Sequence, residues 1–383
     1  MTKFEPIRLG MIGGGQGAFI GAVHRIAARI DGQFNLVAGA LSSNAERALA
    51  SALELGIDAE RSYASYEDMA VAEAARADGI EVVAIVTPNH MHAGPAIAFL
   101  KAGIHVICDK PLTSTIEEAR LLEAVAKASG KLFILTHNYT GYPMIRQAKD
   151  MVANGTLGEV RMIQAEYAQE WLTEPADADN KQAAWRTDPK RSGVGGCVGD
   201  IGTHAYNLTR FVTGLELDSL SADIDAFVDG RPLDDNINVM LRFKGGAKGM
   251  LWSSQIAVGN ENGLSLRVYG TKGGIEWAQE NPNILYYTPF GQPKQIITRG
   301  GVGASESANA VSRTPGGHPE GYLEGFATIY NGAAKSIRLA RGGELNTGML
   351  PTIEDGVEGM QFIMAVVNSS AQNAKWLRLE DQG

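Results

Sequence analysis

Five apolar runs, separated by helical stretches, fill the first 136 residues and restrict the fold of this part of the chain more than any other feature. We predict strands at these runs: Ile7–Ile12, Asn35–Leu41, Glu81–Val86, His105–Cys108 and Leu132–Thr136. The helices predicted between them are Phe19–Ala28, Ala45–Leu55, Ala93–Ala102 and Thr115–Ser129. Continuous apolar strands are typical of a parallel sheet with helices on both faces. The pattern therefore predicts an α/β fold, with a doubly wound Rossmann domain over residues 1–142.

Beyond residue 142 the predicted strands follow one another: Glu159–Glu170, Asp218–Phe227, Asn236–Phe243, Lys248–Gln255, Ser265–Gly270 and Ile284–Thr288. This succession predicts a C-terminal α+β domain over residues 143–383, with a large, open and mainly antiparallel sheet. Because an open sheet face needs cover, we expect a homodimer or homotetramer joined through it. The Gly/Ser-rich segment Gly291–Pro319 is predicted to form a lid or an arm.

Composition excludes several classes of partner and site. The 383 residues carry a formal net charge of −9 and have no basic stripe, so we expect no nucleic-acid partner. We expect no membrane association and no secretion signal, because no apolar run is long enough to span a bilayer and the first strand begins by Ile7. Cys108 and Cys197 are too few for a disulfide framework or a zinc site. We therefore predict a reduced, cytoplasmic protein without a metal.

A glycine-rich turn joins the first strand to the first helix. Glycines let the backbone approach a pyrophosphate, and the helix N-terminus supplies N–H donors. The alternative is a tight turn that binds nothing. The context favours a nucleotide, with predicted contacts from Gly13, Gly15, Gln16, Gly17, Ala18 and Phe19.

The end of the second strand leaves the choice of nucleotide open. A carboxylate there would hold an NAD ribose, but the chain has Leu41-Ser42-Ser43-Asn44. Ser42 is a candidate cofactor contact, and Arg47 is a candidate to neutralise the 2′-phosphate of NADP. The alternative for Arg47 is a solvated charge on the helix. We favour NAD and do not exclude NADP.

Further polar residues follow the later strands, at the edge of the sheet where ligands of such folds bind. The candidate cofactor contacts are Thr87, Pro88, Asn89, His92, Asp109, Lys110 and Asn138. Lys110 ends a buried strand, where desolvation disfavours the ammonium form, so it is a candidate to exchange a proton.

A second group of candidates lies in the C-terminal half. Asp200 and His204 are four residues apart, so they share one helix face behind the loop Gly193–Gly199. An imidazole can exchange a proton near neutral pH. The alternative for Asp200 is a helix N-cap, which would not account for His204.

Together these residues resemble the Gfo/Idh/MocA oxidoreductases, the family of glucose–fructose oxidoreductase and inositol dehydrogenase. The resemblance covers nearly the whole chain: the glycine turn, Thr87-Pro88-Asn89, Asp109-Lys110-Pro111 in place of Glu-Lys-Pro, and Gly-Asp-x-Gly-x-His from Gly199. It implies that Lys110, Asp200 and His204 act around a sugar or cyclitol hydroxyl. It also implies a nicotinamide-side role for Asn138, and a sugar-site or cofactor role for Trp185 and Arg186. Tyr139 stands close to where family members often carry an arginine.

The resemblance implies an NAD(P)-dependent oxidoreductase that moves hydride between nicotinamide and a ring hydroxyl of a sugar, sugar derivative or cyclitol. In this hypothesis His204 takes the hydroxyl proton, Lys110 polarises the oxygen and Asp200 holds a neighbouring hydroxyl. One alternative is an NAD-dependent glycosidase that acts by transient C3 oxidation and elimination, with Tyr139, Tyr142 or His318 as second base. The other is a non-catalytic nucleotide-bound sensor or binding protein.

Overall fold

A computed structural model of the chain describes residues 5–175 and 181–382. The chain divides into two compact units, neither of them continuous in sequence. The first unit comprises residues up to 113, 117–138 and 322–357, and the second comprises 114–116, 139–321 and 358 onward.

The first unit contains a parallel five-stranded sheet in the order β2-β1-β3-β4-β5. Its strands are β1 (Ile7–Gly13), β2 (Phe34–Ala40), β3 (Val82–Val86), β4 (His105–Cys108) and β5 (Phe133–Leu135). Its helices are α1 (Phe19–Ile30), α2 (Ala45–Glu54), α3 (Tyr66–Ala75), α4 (Ala93–Lys101), α5 (Ile116–Ser129) and α11 (Tyr322–Arg341). The predicted Rossmann fold is confirmed.

The register of this sheet brings the predicted motifs to one edge. Gly13 pairs with Val86, and Cys108 pairs with both Ile85 and Leu135. Because the strands are parallel, the residues that follow β1, β3, β4 and β5 all emerge at the carboxyl edge.

Two helices of the first unit were not assigned to it from sequence. Helix α3 interrupts the predicted alternation between β2 and β3. Helix α11 returns to pack on α1, where the His24 Nδ1 lies 2.8 Å from the Tyr330 hydroxyl. Residues 322–357 therefore belong to the same compact unit as the Rossmann sheet. A single boundary after residue 142 does not describe this arrangement. That boundary stays a prediction about domains.

The second unit contains a nine-stranded sheet in the order β13-β12-β11-β10-β6-β9-β8-β7-β14. Its strands are β6 (Val160–Ala168), β7 (Leu217–Asp225), β8 (Asn236–Phe243), β9 (Lys248–Ser254), β10 (Gly263–Gly270), β11 (Gly273–Ala278), β12 (Ile284–Pro289), β13 (Gln295–Thr298) and β14 (Leu377–Arg378). The β6–β9 pair is parallel and the other pairs are antiparallel. The predicted large, mainly antiparallel sheet is confirmed.

The helices of the second unit are α6 (Pro143–Ala153), α7 (Lys181–Arg186), α8 (Pro189–Ser192), α9 (Thr203–Thr213) and α10 (Glu306–Asn309), while α12 (Ile353–Ala371) begins in the first unit and ends in the second. Helices α6 and α9 pack on the sheet. A π-helical turn, Val198–Gly202, directly precedes α9. Asp200 lies inside this turn and caps no helix, so the N-cap alternative is wrong.

The predicted lid or arm at residues 291–319 belongs in part to the sheet of the second unit. Strand β13 pairs with β12, and Arg299 directly after it is buried. Its guanidinium donates to Asn283 Oδ1 at 2.8 Å and to Glu320 Oε1 at 3.0 Å. A buried, hydrogen-bonded ion pair thus fixes both ends of the following loop.

One face of the nine-stranded sheet supports the prediction of a homo-oligomer. Met162 on β6, Met240 on β8 and Met250 on β9 are 57%, 53% and 53% exposed, and Met240 and Met250 are register partners. We expect sedimentation at micromolar concentration to give a dimer or tetramer. Met240→Glu should shift the equilibrium from oligomer toward monomer, because a charge would be buried in the interface. A monomeric wild-type chain would rule the prediction out.

Candidate active site

The glycine turn after β1 fits closely against the end of β2. Gly13 and Gly17 have φ of +77° and +78°, a conformation that side chains disfavour. A Cβ on Gly15 would lie 2.7 Å from the Leu41 carbonyl oxygen, to which the Gly15 amide already donates at 3.2 Å. A Cβ on Gly21 would lie 2.3 Å from the Gly14 Cα. The turn therefore requires glycine for close approach of backbone to backbone.

The N-terminus of α1 opens from this turn without a protein cap. Ala18 at the N-cap provides no side-chain acceptor, and the first turn of the helix contains no acidic residue. Phe19 is 64% exposed at the first helical position. Uncapped amides and the helix dipole favour an anion here. The bare backbone turn and open helix end fit the pyrophosphate of a dinucleotide.

Polar residues of α2 lie beside the turn. Arg47 Nη2 donates to the Gln16 carbonyl at 3.0 Å, and the Gln16 amide donates to Ser51 Oγ at 3.2 Å. Ser42 Oγ accepts from the Asn44 amide at 3.2 Å, and Asn44 caps α2. Arg47 is thus placed at the glycine turn, and its predicted contact with a nucleotide phosphate stays a prediction.

Gly15→Ala is expected to weaken NAD binding by about 10- to 100-fold, because the added methyl group would push the turn away from β2. Calorimetric titration with NAD measures the effect. Gly321→Ala is the matched control, since nothing lies within 4 Å of its Cβ position. Unchanged affinity in Gly15→Ala would show that this turn does not hold the nucleotide.

The turns after β3 and β4 are tied together by His92. Its Nδ1 lies 2.8 Å from the Pro111 carbonyl oxygen, and its Nε2 lies 2.8 Å from the Thr87 carbonyl oxygen. The ring is fully buried, and burial lowers the His92 pKa. His92 therefore acts on its two flanking turns, and its predicted contact with the cofactor stays a prediction. Pro88 and the buried Asn89 lie between β3 and this histidine.

Asp109 and Lys110 follow β4 with a defined backbone. Asp109 Oδ1 accepts from the Lys110 amide at 3.0 Å and from Thr136 Oγ1 at 2.8 Å, and the Lys110–Pro111 peptide is cis. Lys110 is only partly buried, less than its place after a buried strand predicts. Burial and the nearby Lys110 charge lower the pKa of His137 to about 3, so this imidazole is neutral.

Asn138 completes this edge of the sheet. It follows β5, is 2% exposed, and its Nδ2 has no hydrogen-bond partner within residues 5–175 and 181–382. A buried, unpartnered amide donor is costly unless a ligand accepts from it. This orphaned group fits the carboxamide end of a nicotinamide nucleotide.

In the second unit the π-helical turn presents Asp200 to two donors. Asp200 Oδ2 accepts from Arg186 Nε at 3.1 Å and from Gln255 Nε2 at 2.9 Å. The Arg186 guanidinium also stacks on Trp185, 4.3 Å from the ring centroid, with Trp171 at 5.8 Å. These two donors therefore fix the orientation of the carboxylate from one side. Sequence reasoning identified Trp185, Arg186 and Asp200 and missed Gln255.

His204 lies in the first turn of α9 and is 7% exposed. Its ring meets the edge of Tyr139 at 4.9 Å between centroids and lies 6.2 Å from Tyr167. Tyr142 stacks on Tyr139 at 5.8 Å, and both tyrosines are buried. Burial raises the Tyr139 pKa, so its hydroxyl stays protonated near neutral pH and is not available as a phenolate base.

Amide and hydroxyl groups extend the site away from His204. The Tyr139 and Tyr167 hydroxyls lie 2.6 Å apart, Tyr167 donates to Asn262 Oδ1 at 2.8 Å, and Gln169 Nε2 donates to the same oxygen at 2.8 Å. Trp171 Nε1 donates to Gln169 Oε1 at 3.0 Å. Sequence reasoning missed this network, although Tyr167, Gln169 and Trp171 alternate along and just beyond β6.

His318 differs from the other candidates of the second unit. It is exposed, and its carbonyl oxygen accepts from Thr314 Oγ1 at 3.0 Å and from the Arg299 guanidinium. These contacts belong to the loop that the Arg299–Glu320 pair fixes. The backbone of His318 therefore helps to hold the loop together, and these contacts give no support to a role as second base.

Two family models match the chain. The oxidoreductase family with an NAD-binding Rossmann fold matches residues 7–148, and the GFO/IDH/MocA C-terminal domain matches residues 145–276. The chain belongs to the Gfo/Idh/MocA oxidoreductase family. Its first unit carries the NAD-binding Rossmann fold of that family, and NAD is the cofactor.

Individual family members agree with this assignment. The crystal structure of an oxidoreductase from Sinorhizobium meliloti is 56% identical, covering 98% of this chain and 100% of that one, with a TM-score of 0.90. An inositol dehydrogenase homolog from Azotobacter vinelandii, solved with NADH and myo-inositol, is 35% identical over 98% of each chain, with a TM-score of 0.92. Levoglucosan dehydrogenase from Pseudarthrobacter phenanthrenivorans is 30% identical over 73% of this chain and 76% of its own.

Neither a metal-binding cluster nor a membrane-spanning helix is found in the part of the chain that the structure describes. Within residues 5–175 and 181–382, no group of three or more His, Cys, Asp and Glu side chains is placed to hold a metal ion. Over the same ranges, no helix combines the length and apolar character needed to cross a bilayer.

Proposed function

We propose that this oxidoreductase is an NAD-dependent dehydrogenase acting on a ring hydroxyl of a cyclitol or sugar. The observation that carries the proposal is Asp200, whose Oδ2 is held by Arg186 and Gln255 four residues before the buried His204. A fixed carboxylate accepts hydroxyl hydrogen bonds well, because its charge strengthens them. An imidazole next to it is suited to take a hydroxyl proton.

The proposal gives each residue a separate task. Bound NAD supplies the hydride acceptor. His204 takes the proton of the reacting hydroxyl, Lys110 polarises its oxygen, and Asp200 accepts from a neighbouring hydroxyl. Loss of the hydroxyl proton and of the carbinol hydride leaves a ketone, so electrons and protons balance.

The surroundings of these residues in the second unit suit a polyhydroxylated ring. Tyr167, Gln169 and Asn262 offer hydroxyl and amide groups, and Trp171 is 39% exposed beside them. Polar groups of this kind recognise hydroxyls, while an indole face suits the C–H surface of a sugar ring. The bound myo-inositol of the Azotobacter vinelandii homolog and the substrate named for levoglucosan dehydrogenase support the same class.

The test is the appearance of reduced nicotinamide absorbance with a panel of inositols, free hexoses, anhydrosugars and glycosides, with NAD and NADP compared. We expect net reduction of NAD by at least one cyclitol or sugar. Mass spectrometry of nucleotide released from the denatured protein accompanies the assay. Stoichiometric retained NAD, no net reduction and release of an aglycone from glycosides would overturn the proposal in favour of the NAD-dependent glycosidase. Nucleotide binding without turnover of any substrate would favour a sensor.

A further inference from the structure

Two consecutive aspartates, Asp234 and Asp235, lie between β7 and β8 and are buried. Asp234 Oδ1 accepts from the Gly196 amide at 2.6 Å, and its Oδ2 accepts from the Val198 amide at 2.8 Å. The Asp234 carbonyl accepts from the Cys197 amide between them at 2.8 Å. One residue, 36 positions away from Val198, thus binds three consecutive amides.

These three amides lead directly into the turn that carries Asp200. The π-helical turn begins at Val198, and the Asp200 amide donates to the Gly196 carbonyl at 2.9 Å. Gly196 therefore faces Asp234 with its amide and Asp200 with its carbonyl. A Cβ on Gly196 would lie 2.3 Å from the Asp234 carbonyl oxygen, so only glycine permits this approach.

Asp235 reaches Asp200 by a second route. Its carbonyl accepts from the Gln255 amide at 2.9 Å, and the Gln255 side chain donates to Asp200 Oδ2. Its own carboxylate accepts from Phe227 and Val228 amides at 3.0 Å each and from Arg231 at 3.1 Å. Asp234 and Asp235 together therefore support Asp200 in two ways: through the backbone of the turn that carries it and through the Gln255 side chain.

We propose that Asp234 is a positioning residue, whose ionised carboxylate holds the Gly196–Val198 turn so that Asp200 and His204 keep their orientation toward substrate. This inference rests on the proposed function for the roles of Asp200 and His204. Asp234 itself touches neither substrate nor cofactor in the proposal. Its effect passes through the backbone of the turn.

The geometry makes this support sensitive to pH. Burial raises the Asp234 pKa from 3.8 to about 6, and its amide hydrogen bonds and the neighbouring Asp235 have smaller effects. The charged or titratable groups that face this region are Asp235, which is paired with Arg231, Asp200, and the buried Cys197 thiol, whose pKa is raised. Protonation converts one oxygen from acceptor to donor, so one of the two amides loses its partner.

As the pH changes, the order of the Gly196–Val198 turn and the free energy of unfolding of the chain should therefore change in opposite directions. Because the folded-state pKa lies above the usual value, the folded chain binds a proton that the unfolded chain does not. Stability from this group therefore rises as pH falls through about 6 toward 3.8, while the turn loosens. A role in overall folding alone would not produce this opposition.

The experiment compares NAD-loaded wild type, Asp234→Asn and the matched control Asp223→Asn, an exposed aspartate on β7. We expect kcat/KM of Asp234→Asn to fall about 10- to 100-fold with NAD affinity unchanged. Hydrogen exchange of a peptide spanning residues 193–199 should speed up selectively in Asp234→Asn. The control should match wild type in every measurement.

A pH series on the wild type keeps the inference testable if the variant does not fold. Exchange of the 193–199 peptide, corrected for intrinsic rates, should increase as pH falls through about 6, while other peptides of the second unit do not follow. If Asp234→Asn had the kcat/KM and the exchange rates of wild type, the positioning role would be overturned. The same holds if exchange became faster throughout the second unit. Hydrogen exchange is measured without substrate. If the proposed function were wrong, no substrate would be turned over, but the difference in exchange between wild type and Asp234→Asn would remain.

Discussion

Lys110→Met lowers kcat by about 10²- to 10⁴-fold and leaves NAD affinity unchanged, if Lys110 polarises the reacting oxygen as proposed. Methionine has a similar length and retains the apolar stem, but it can neither donate a hydrogen bond nor carry charge. The backbone around residue 110 should persist, because Asp109 Oδ1 binds the Lys110 amide and the Thr136 hydroxyl, and the substitution removes neither donor. Steady-state kinetics with a substrate from the panel and calorimetric titration with NAD measure the two effects.

Lys101→Met is the matched control, since Lys101 is exposed in the last turn of α4 of the same unit. It should retain wild-type kinetics. Near-normal turnover in Lys110→Met would remove the lysine from the reaction. A parallel loss of NAD affinity would instead assign Lys110 to cofactor binding.

The first unit was largely predictable because its signals are local. Continuous apolar runs identified β1, β3 and β4, and the glycine turn identified the start of α1. Helix α3 was missed because Tyr66–Ala75 is rich in alanine and glutamate and shows no clear apolar stripe. Local pattern also cannot reveal that helix α11 packs on α1, where Tyr330 lies 306 residues after its partner His24.

The difference between local sequence patterns and long-range contacts also explains which residues of the site were predicted and which were missed. Asp200 and His204 are close in sequence, so their spacing was visible. Gln255 and Asp234 reach the same turn from 55 and 36 residues away, and their roles follow from the order of strands in the nine-stranded sheet. The π-helical turn at Val198–Gly202 has no sequence pattern that separates it from an α-helical start. Sequence therefore predicts the chemical groups, and tertiary contacts determine how they are held.

His204→Asn should lower kcat by about 10²- to 10⁴-fold, because asparagine retains a polar side chain but cannot accept the hydroxyl proton. Tyr139→Phe is the matched control: the ring that meets His204 remains, and the hydroxyl contacts with Tyr167 and Asn262 are lost. We expect that control to lose about tenfold or less. Asp200→Asn should act mainly on KM, since a hydrogen bond to a neighbouring hydroxyl forms in the ground state and in the transition state.

The split between kcat and KM decides between the proposed roles. Proton transfer occurs only in the transition state, so removing the base lowers kcat, whereas removing a binding group raises KM. Asp200 is held by Arg186 and Gln255, and these donors remain available to the amide oxygen of asparagine, so the variant should keep the geometry of the turn. If His204→Asn raised KM with kcat intact, while Asp200→Asn lowered kcat, the two roles would have to be exchanged. The carboxylate would then be the proton acceptor and the imidazole a binding group.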